Sequence, residues 1–100
     1  MPANRVPGCT SAVWLLDEST PDRCRFRGDA EAPTLRGLTL LICTRASGRT
    51  PTEVATDETD VAVALGLERF ITPTRLNGLR QLQQHIRGCA RRQIPAPREP

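Results

Sequence analysis

The side chains best suited to chemistry in this sequence form a row near its C-terminal end. On a helix with about 3.6 residues per turn, they share one flank: Arg80, Gln84, Arg87 and Arg91, with Arg92 beside the last of them. Guanidinium groups bind phosphates and carboxylates, and arginine and glutamine also contact the edges of bases. The row therefore predicts a non-catalytic interaction module that binds an acidic partner, either a protein surface or nucleic acid.

A second interpretation of the arginine row is structural. The row can lie in solvent, or it can pair with the acidic side chains that precede it: Glu53, Asp57, Glu58 and Asp60. Nucleic acid is the less favoured partner, because no aromatic residue stands among the arginines to stack on bases. A helix-turn-helix over 60–80 is also disfavoured, because the break at Pro73 makes its connection too long.

An enzyme site is the alternative, built on Asp17 and Thr44. Asp17 follows the apolar run 13–16, and Thr44 follows the apolar run 38–43, so both are expected at the ends of strands. This arrangement resembles the opening of the haloacid-dehalogenase-like phosphatases. The resemblance implies a reduced phosphatase-like α/β enzyme in which Asp17 is the nucleophile and Thr44 binds the phosphate.

Two groups of side chains are candidate metal ligands. Asp57, Glu58 and Asp60 offer oxygens to a cation such as Mg²⁺, but acids at the start of a helix are also explained by its dipole. His85 and Cys89 lie one helical turn apart. The sequence has a single histidine and no C-x-x-C pair. We therefore expect neither a metal nor a cofactor.

The four cysteines are Cys9, Cys24, Cys43 and Cys89. Residues 1–8 have no apolar core of the kind found in secretory signals, so an oxidising compartment is not indicated. No stretch approaches the roughly 20 apolar residues that cross a bilayer. These observations predict a soluble cytoplasmic or otherwise intracellular protein, without membrane contact, whose thiols are mostly free. Cys43 and Cys89 are expected in the core.

The charge is unevenly distributed along the chain. Residues 1–68 hold seven arginines and ten acids, a net charge of −3, whereas residues 69–100 hold seven arginines and one acid, a net charge of +6. There is no lysine and no tyrosine. A Schiff-base lysine, a Walker-type lysine and a tyrosine acid are therefore excluded as catalytic groups.

Apolar runs predict three to four short strands. The runs are 11–16, 24–27 and 35–44, and 67–71 is a further candidate. Within 35–44, apolar residues are nearly continuous from 38 to 43, which is typical of a central strand covered on both faces. The segment 28–34, which contains Pro33, is expected to be a loop.

A first helix is predicted over 51–65. Thr50 and Glu53 have the spacing of a capping box, and Pro51 occupies the first helical position. Gly66 is expected to end this helix. The β-branched residues in 61–65 leave a strand there as the alternative.

The last helix is predicted to begin at Thr72-Pro73, or at Asn77 if Asn77-Gly78 is a turn, and to stop at Gly88. One apolar stripe on it should face the core: Leu76, Leu79, Leu82, Ile86 and Cys89. The expected fold is a single small α/β or α+β domain over residues 1–92, followed by a flexible proline-rich tail over 93–100.

Overall fold

Two strands and four helices make up the fold. The structure, a computed structural model, describes residues 5–6 and 12–95. In chain order the elements are β1 (Val13–Asp17), β2 (Phe26–Ala30), α1 (Pro33–Ala46), α2 (Pro51–Thr56), α3 (Val61–Ala64) and α4 (Pro73–Gln93). This α+β arrangement confirms the predicted class, with two strands over the described ranges where three to four were expected.

The two strands form an antiparallel pair in which Val13 faces Ala30 and Asp17 faces Phe26. Side chains alternate between the two faces of a sheet, and in β2 the end residues Phe26 and Ala30 are buried while Arg27 is exposed. A single bridge from Arg5 to Trp14 continues the pairing on the other side of β1. One face of the sheet therefore carries the core.

The prediction of a central strand over 35–44 is wrong, because this segment lies within helix α1. Pro33 opens the helix rather than lying in a loop, and Leu40 and Leu41 are exposed. The buried side chains recur three, four or seven positions apart, as on one face of a helix: Leu35, Thr39, Ile42, Cys43 and Ala46. A nearly unbroken apolar run concealed that periodicity.

Helix α1 packs directly on β2, and the closest approach is at Gly28. A Cβ atom on residue 28 would lie 2.7 Å from Thr39 Cγ2 and 2.8 Å from Cys43 Sγ. Real Cβ atoms essentially never come this near to other heavy atoms. A residue without a side chain is therefore required where the helix crosses the strand.

Replacing Gly28 with alanine is expected to destabilise the protein by about 1 to 3 kcal/mol, because the added methyl overpacks this interface. Urea unfolding monitored by circular dichroism measures the change. Gly37→Ala is the matched control, since nothing lies within 4 Å of a Cβ there. Gly37 lies inside a helix, so its replacement should stabilise by up to about 1 kcal/mol. Equal effects at the two glycines would contradict the packing argument.

The predicted helix over 51–65 is two helices, so its continuity was wrong. Its capping box is confirmed: Thr50 Oγ1 accepts from the Glu53 backbone N–H, and the Glu53 carboxylate accepts from the Thr50 N–H. Helix α2 ends at Thr56 with Asp57 as its C-terminal cap, and Asp60 caps α3 by accepting from the N–H groups of residues 62 and 63. Residues 57–60 thus separate the two helices: their backbone is extended at Asp57 and Asp60, and the Asp60 carboxylate caps the start of α3.

The C-terminal end of α3 confirms the role of Gly66, whose φ of +69° follows the last helical turn. The alternative strand over 61–65 is excluded by α3. The candidate strand over 67–71 is also wrong, because this stretch forms turns and its Phe70 is exposed.

Helix α4 begins as predicted at Pro73, with Thr72 Oγ1 accepting from the Arg75 N–H. Asn77 lies within the helix, and Gly88 does not end it. Because the helix continues to Gln93, its end differs from the prediction. The boundary at residue 92 stays a prediction, and residues 96–100 lie outside the described part of the chain.

Helix α4 supplies the centre of the core. The predicted stripe is confirmed, with Leu79, Leu82, Ile86 and Cys89 buried and Leu76 packed partly against them. The helix contacts α1, α2 and β1. Over the described residues, no helix combines the length and the apolar character that a membrane crossing requires.

Candidate functional site

The arginine row of α4 is partly occupied by contacts within the protein. Arg80 Nε lies 2.9 Å from Asp60 Oδ2, and Arg87 Nη1 donates to the backbone carbonyl of Asp57 at 3.3 Å. Gln84 and Arg91 are exposed. The segment before α4 therefore partners Arg80 through a carboxylate and Arg87 through a backbone carbonyl, which fits the structural interpretation for these two arginines.

Asp57 connects several elements through its carboxylate. Arg45 Nη2 and Arg49 Nη1 lie 2.8 and 2.7 Å from Asp57 Oδ2, and the Thr59 N–H donates to Oδ1. The hydrogen bond from Arg49, aided by that of Thr59 and the charge of Arg45, holds the pKa of Asp57 far below its usual range. The carboxylate is thus ionised and already partnered by cations, which leaves little for Mg²⁺ to bind.

The second group of candidate metal ligands, His85 and Cys89, lies on α4, where His85 is half-buried and Cys89 is buried. Within residues 5–6 and 12–95, histidine, cysteine and acidic side chains do not form any group of three or more that could hold a metal ion.

The proposed phosphatase pair does not have the expected setting. Asp17 does end β1, but its exposed carboxylate accepts the Ser19 N–H at 2.9 Å, which is an ordinary turn contact. Thr44 lies exposed on α1 instead of following a strand. The second strand that the resemblance required is a helix, so the arrangement that suggested a phosphate ligand is absent from the described fold.

Three of the four cysteines lie in the core. Cys24, Cys43 and Cys89 are free thiols with at most 3% of their surface exposed. Burial raises the pKa of Cys43 to about 11 and also raises the pKa of Cys24 and of Cys89. The thiolate is the reactive form of cysteine, so these three side chains are poor nucleophiles.

The raised pKa of Cys43 predicts that the protein loses stability in alkali. An unfolded Cys43 ionises near its ordinary value of 9.0, whereas the folded thiol ionises near 11. At pH values below 9.0 the thiol is protonated in both states, and the free energy of unfolding is at its full value. It falls as the pH rises from 9.0 to about 11, because only the unfolded thiol ionises in that range. The loss is about 2 to 3 kcal/mol. Cys24 and Cys89 act in the same direction.

Urea unfolding at several alkaline pH values measures this loss. The chain has no lysine or tyrosine to titrate in this interval, so the cysteines are the side chains that change charge there. In Cys43→Ala the decline should be smaller by about 2 to 3 kcal/mol, and what remains is the contribution of Cys24 and Cys89. A decline of the same size in that variant would show that another group is responsible.

Cys9 lies outside the described residues, in the segment 7–11. The described residues on either side are held to the sheet. The Val6 N–H donates to the Val13 carbonyl at 2.8 Å, and the Glu31 N–H donates to the Ala12 carbonyl at 3.0 Å. Burial therefore disqualifies three thiols as reactive groups and leaves Cys9 as the remaining candidate.

Comparison with known proteins shows the family of the chain. The model of the SufE family, described as an Fe-S metabolism associated domain, matches residues 1–90. The chain belongs to the SufE family. An uncharacterized SufE-like protein of Rhizobium meliloti is 33% identical to this SufE domain over 98 residues, which cover 93% of the chain and 70% of that protein.

Two further relatives extend this result. A SufE-like protein of Synechocystis is 36% identical over 76 residues, covering 76% of the chain and 48% of that protein. SufE-like protein 1, chloroplastic/mitochondrial, of Arabidopsis thaliana is 35% identical over 77 residues, covering 76% of the chain and 21% of that protein. The SufE domain described here thus spans about half of the Synechocystis relative and a smaller part of the plant protein.

Family membership corrects both functional hypotheses. A module that binds an acidic protein surface or nucleic acid is not what the SufE match supports, and neither is a phosphatase using Asp17. The site residues predicted from the sequence were mainly arginines, and Cys9 was not among them. A signal for it was available: Cys9 follows Pro7-Gly8 and precedes Thr10-Ser11, a loop-type composition beside the first strand, where reactive residues are common.

Proposed function

We propose that this SufE domain is a sulfur carrier that holds one sulfur atom as a persulfide on Cys9. Its family is associated with Fe-S metabolism. The clusters of that metabolism contain sulfide as well as iron, and cysteine thiolates are the groups that accept and pass on sulfur atoms. A sulfur-transfer role fits the family match better than either hypothesis drawn from the arginines or from Asp17.

The burial of Cys24, Cys43 and Cys89 is the observation that carries the choice of Cys9. A sulfur acceptor must be reached by another molecule and must ionise near neutral pH. The buried thiols meet neither requirement, because each is almost without exposed surface and each has a raised pKa. Cys9 is the one cysteine of the four in the sequence that remains.

The transfer step balances without an external oxidant or reductant. The Cys9 thiolate attacks the outer sulfur of a donor persulfide, forming a new S–S bond as the bond to the donor cysteine breaks. The donor leaves as a thiolate with the electron pair of that bond, and Cys9 becomes the persulfide. The donor proposed here is a cysteine desulfurase, a protein partner of SufE-like proteins.

A loading experiment tests the proposal. The chain is incubated with a cysteine desulfurase and cysteine without a reducing agent, and its intact mass is measured. We expect a gain of one sulfur atom per chain, mapped to the peptide that contains Cys9 and removed by dithiothreitol. Absence of a gain, or a gain at Cys24, Cys43 or Cys89, overturns the assignment.

Selective alkylation gives an independent prediction about the same thiols. In the folded protein near neutral pH, iodoacetamide is expected to modify Cys9 and to leave the other three cysteines unmodified. At pH about 8 only about one Cys43 side chain in a thousand is ionised. After unfolding in urea all four cysteines should react. Rapid modification of Cys43 in the folded protein would contradict the burial argument.

A further inference from the structure

We propose that a small inorganic anion of about the size of chloride binds in a cleft where the four helices meet and three arginines surround one aspartate. The cleft has a volume of about 30 Å³. Its charged lining comes from separate parts of the chain: Arg45 on α1, Arg49 beyond the end of α1, Asp57 after α2, and Arg87 on α4. The proposal does not depend on Cys9 or on sulfur transfer.

The charges that line the cleft do not balance. Three guanidinium groups meet one carboxylate, which leaves a net charge of +2. Arg45 and Arg49 share a single oxygen, Asp57 Oδ2, at 2.8 and 2.7 Å. Arg87 Nη1 donates to the backbone carbonyl of Asp57 at 3.3 Å, and that oxygen carries no formal charge. The carboxylate therefore neutralises one of the three cations, and an anion is required to offset the others.

The surroundings of the cleft strengthen its electrostatic interactions. The apolar part of the lining consists of buried side chains from all four helices: Ile42, Ala46, Val54, Val61 and Ile86. Apolar atoms screen charge much less than water does, so the guanidinium groups repel one another and attract an anion more strongly here than on an open surface. The side chains of Arg45 and Arg49 remain 42% and 32% exposed, so an anion can enter from solvent without opening of the core.

The donors and the size of the cleft define the class of ligand. A guanidinium group carries five N–H donors and no acceptor, so three of them offer many more hydrogen bonds than the oxygens of Asp57 accept. A ligand in this position must accept hydrogen bonds and carry negative charge. A volume of about 30 Å³ holds about two particles of the size of water. These properties select a monatomic anion and exclude a nucleotide or a sugar phosphate.

An anion bound here would link α1 to α4, because it lies between arginines of both helices. Unfolding separates these arginines, so the anion binds the folded chain in preference and stabilises it. General screening by salt acts in the opposite direction, since it weakens the ion pairs of Asp57 with Arg45 and Arg49. Chloride should therefore raise the melting temperature, whereas gluconate, an anion of the same charge that is too large for the cleft, should not.

The test exchanges chloride for gluconate at constant ionic strength. The whole chain is melted in mixtures of the two sodium salts, and unfolding is followed by circular dichroism. We expect the melting temperature to rise with chloride and to level off at about 4 °C or more above its value in gluconate, as for one saturable site. The NMR line of chloride is a second measurement, because exchange with a protein site should broaden it beyond its width in buffer.

Two variants remove a cation from the cleft. In Arg45→Gln and in Arg87→Gln, we expect both the chloride-dependent rise in melting temperature and the excess line width to fall to less than half. Arg45→Gln leaves Asp57 paired with Arg49, so it keeps the proposal testable if Arg87→Gln does not fold.

Arg80→Gln is the matched control. It also removes an arginine of α4 that is paired with an aspartate, Asp60, but residue 80 does not line the cleft. Relative to its own melting temperature in gluconate, this variant should keep the full chloride response. Equal melting of the wild type in chloride and gluconate overturns the proposal. A chloride response that persists undiminished in Arg45→Gln and Arg87→Gln, or that is lost equally in Arg80→Gln, also overturns it.

Discussion

Replacing Cys9 with serine is expected to reduce sulfur loading from a cysteine desulfurase by at least about 100-fold, to the background level. Serine preserves the size of the side chain, but its hydroxyl remains protonated at neutral pH and does not attack a persulfide. The other three thiols do not compensate, because they are buried. Transfer of radioactive sulfur from labelled cysteine to the chain, followed on a non-reducing gel, measures the loss.

Cys24→Ala is the matched control for this experiment. It also removes one thiol, but that thiol lies in the core, so loading per folded molecule should stay within about twofold of the wild type. Circular dichroism verifies that both variants are folded before loading is compared. If Cys9→Ser retained loading while Cys24→Ala lost it, the assignment of the two cysteines would have to be exchanged.

Truncating Leu82 to alanine is expected to cost about 2 to 5 kcal/mol of the free energy of unfolding. Leu82 is completely buried in the middle of α4, the helix that contacts α1, α2 and β1. The lost side chain removes apolar burial and leaves a cavity that the surrounding elements fill only in part. A domain of this size has a total stability of about 5 to 15 kcal/mol, so the variant should melt at a much lower temperature.

Urea unfolding and a thermal melt measure this effect, with Leu65→Ala as the control. Leu65 is 51% exposed beyond the end of α3, and its truncation should change stability by no more than about 0.5 kcal/mol. Similar losses at the two leucines would contradict the placement of α4 at the centre of the core.

The helix starts and ends that were predicted correctly from the sequence depend on short local patterns. The capping box of Thr50 and Glu53, the start at Thr72-Pro73 and the end at Gly66 depend on a few neighbouring residues, and each is confirmed. Helix α1 was predicted as a strand, because whether this segment is a helix or a strand depends on which of its leucines face inward. Leu40 and Leu41 are exposed, and only packing against β2 distinguishes them from their buried neighbours.

The candidate site was harder to predict because its chemistry depends on long-range burial. Cys43 and Cys89 were expected in the core and are buried there, but the burial of Cys24 depends on distant elements that close around it. The loop-type residues around Cys9 were a weak local signal that did not by themselves separate it from Cys24. The conspicuous arginines were misleading for the same reason. Arg80 and Arg87 owe part of their arrangement to Asp60 and Asp57, which precede them by 20 and 30 positions.

The contacts of Asp57 make tolerance to mutation unequal around that residue. Loss of either Arg45 or Arg49 leaves the carboxylate with the other guanidinium, whereas loss of the carboxylate leaves two like charges side by side without a counter-ion. Natural variation should therefore be able to exchange the arginines one at a time while the acid stays fixed. In a collection of random variants, substitutions at residue 57 should be depleted more strongly than those at residue 45 or 49.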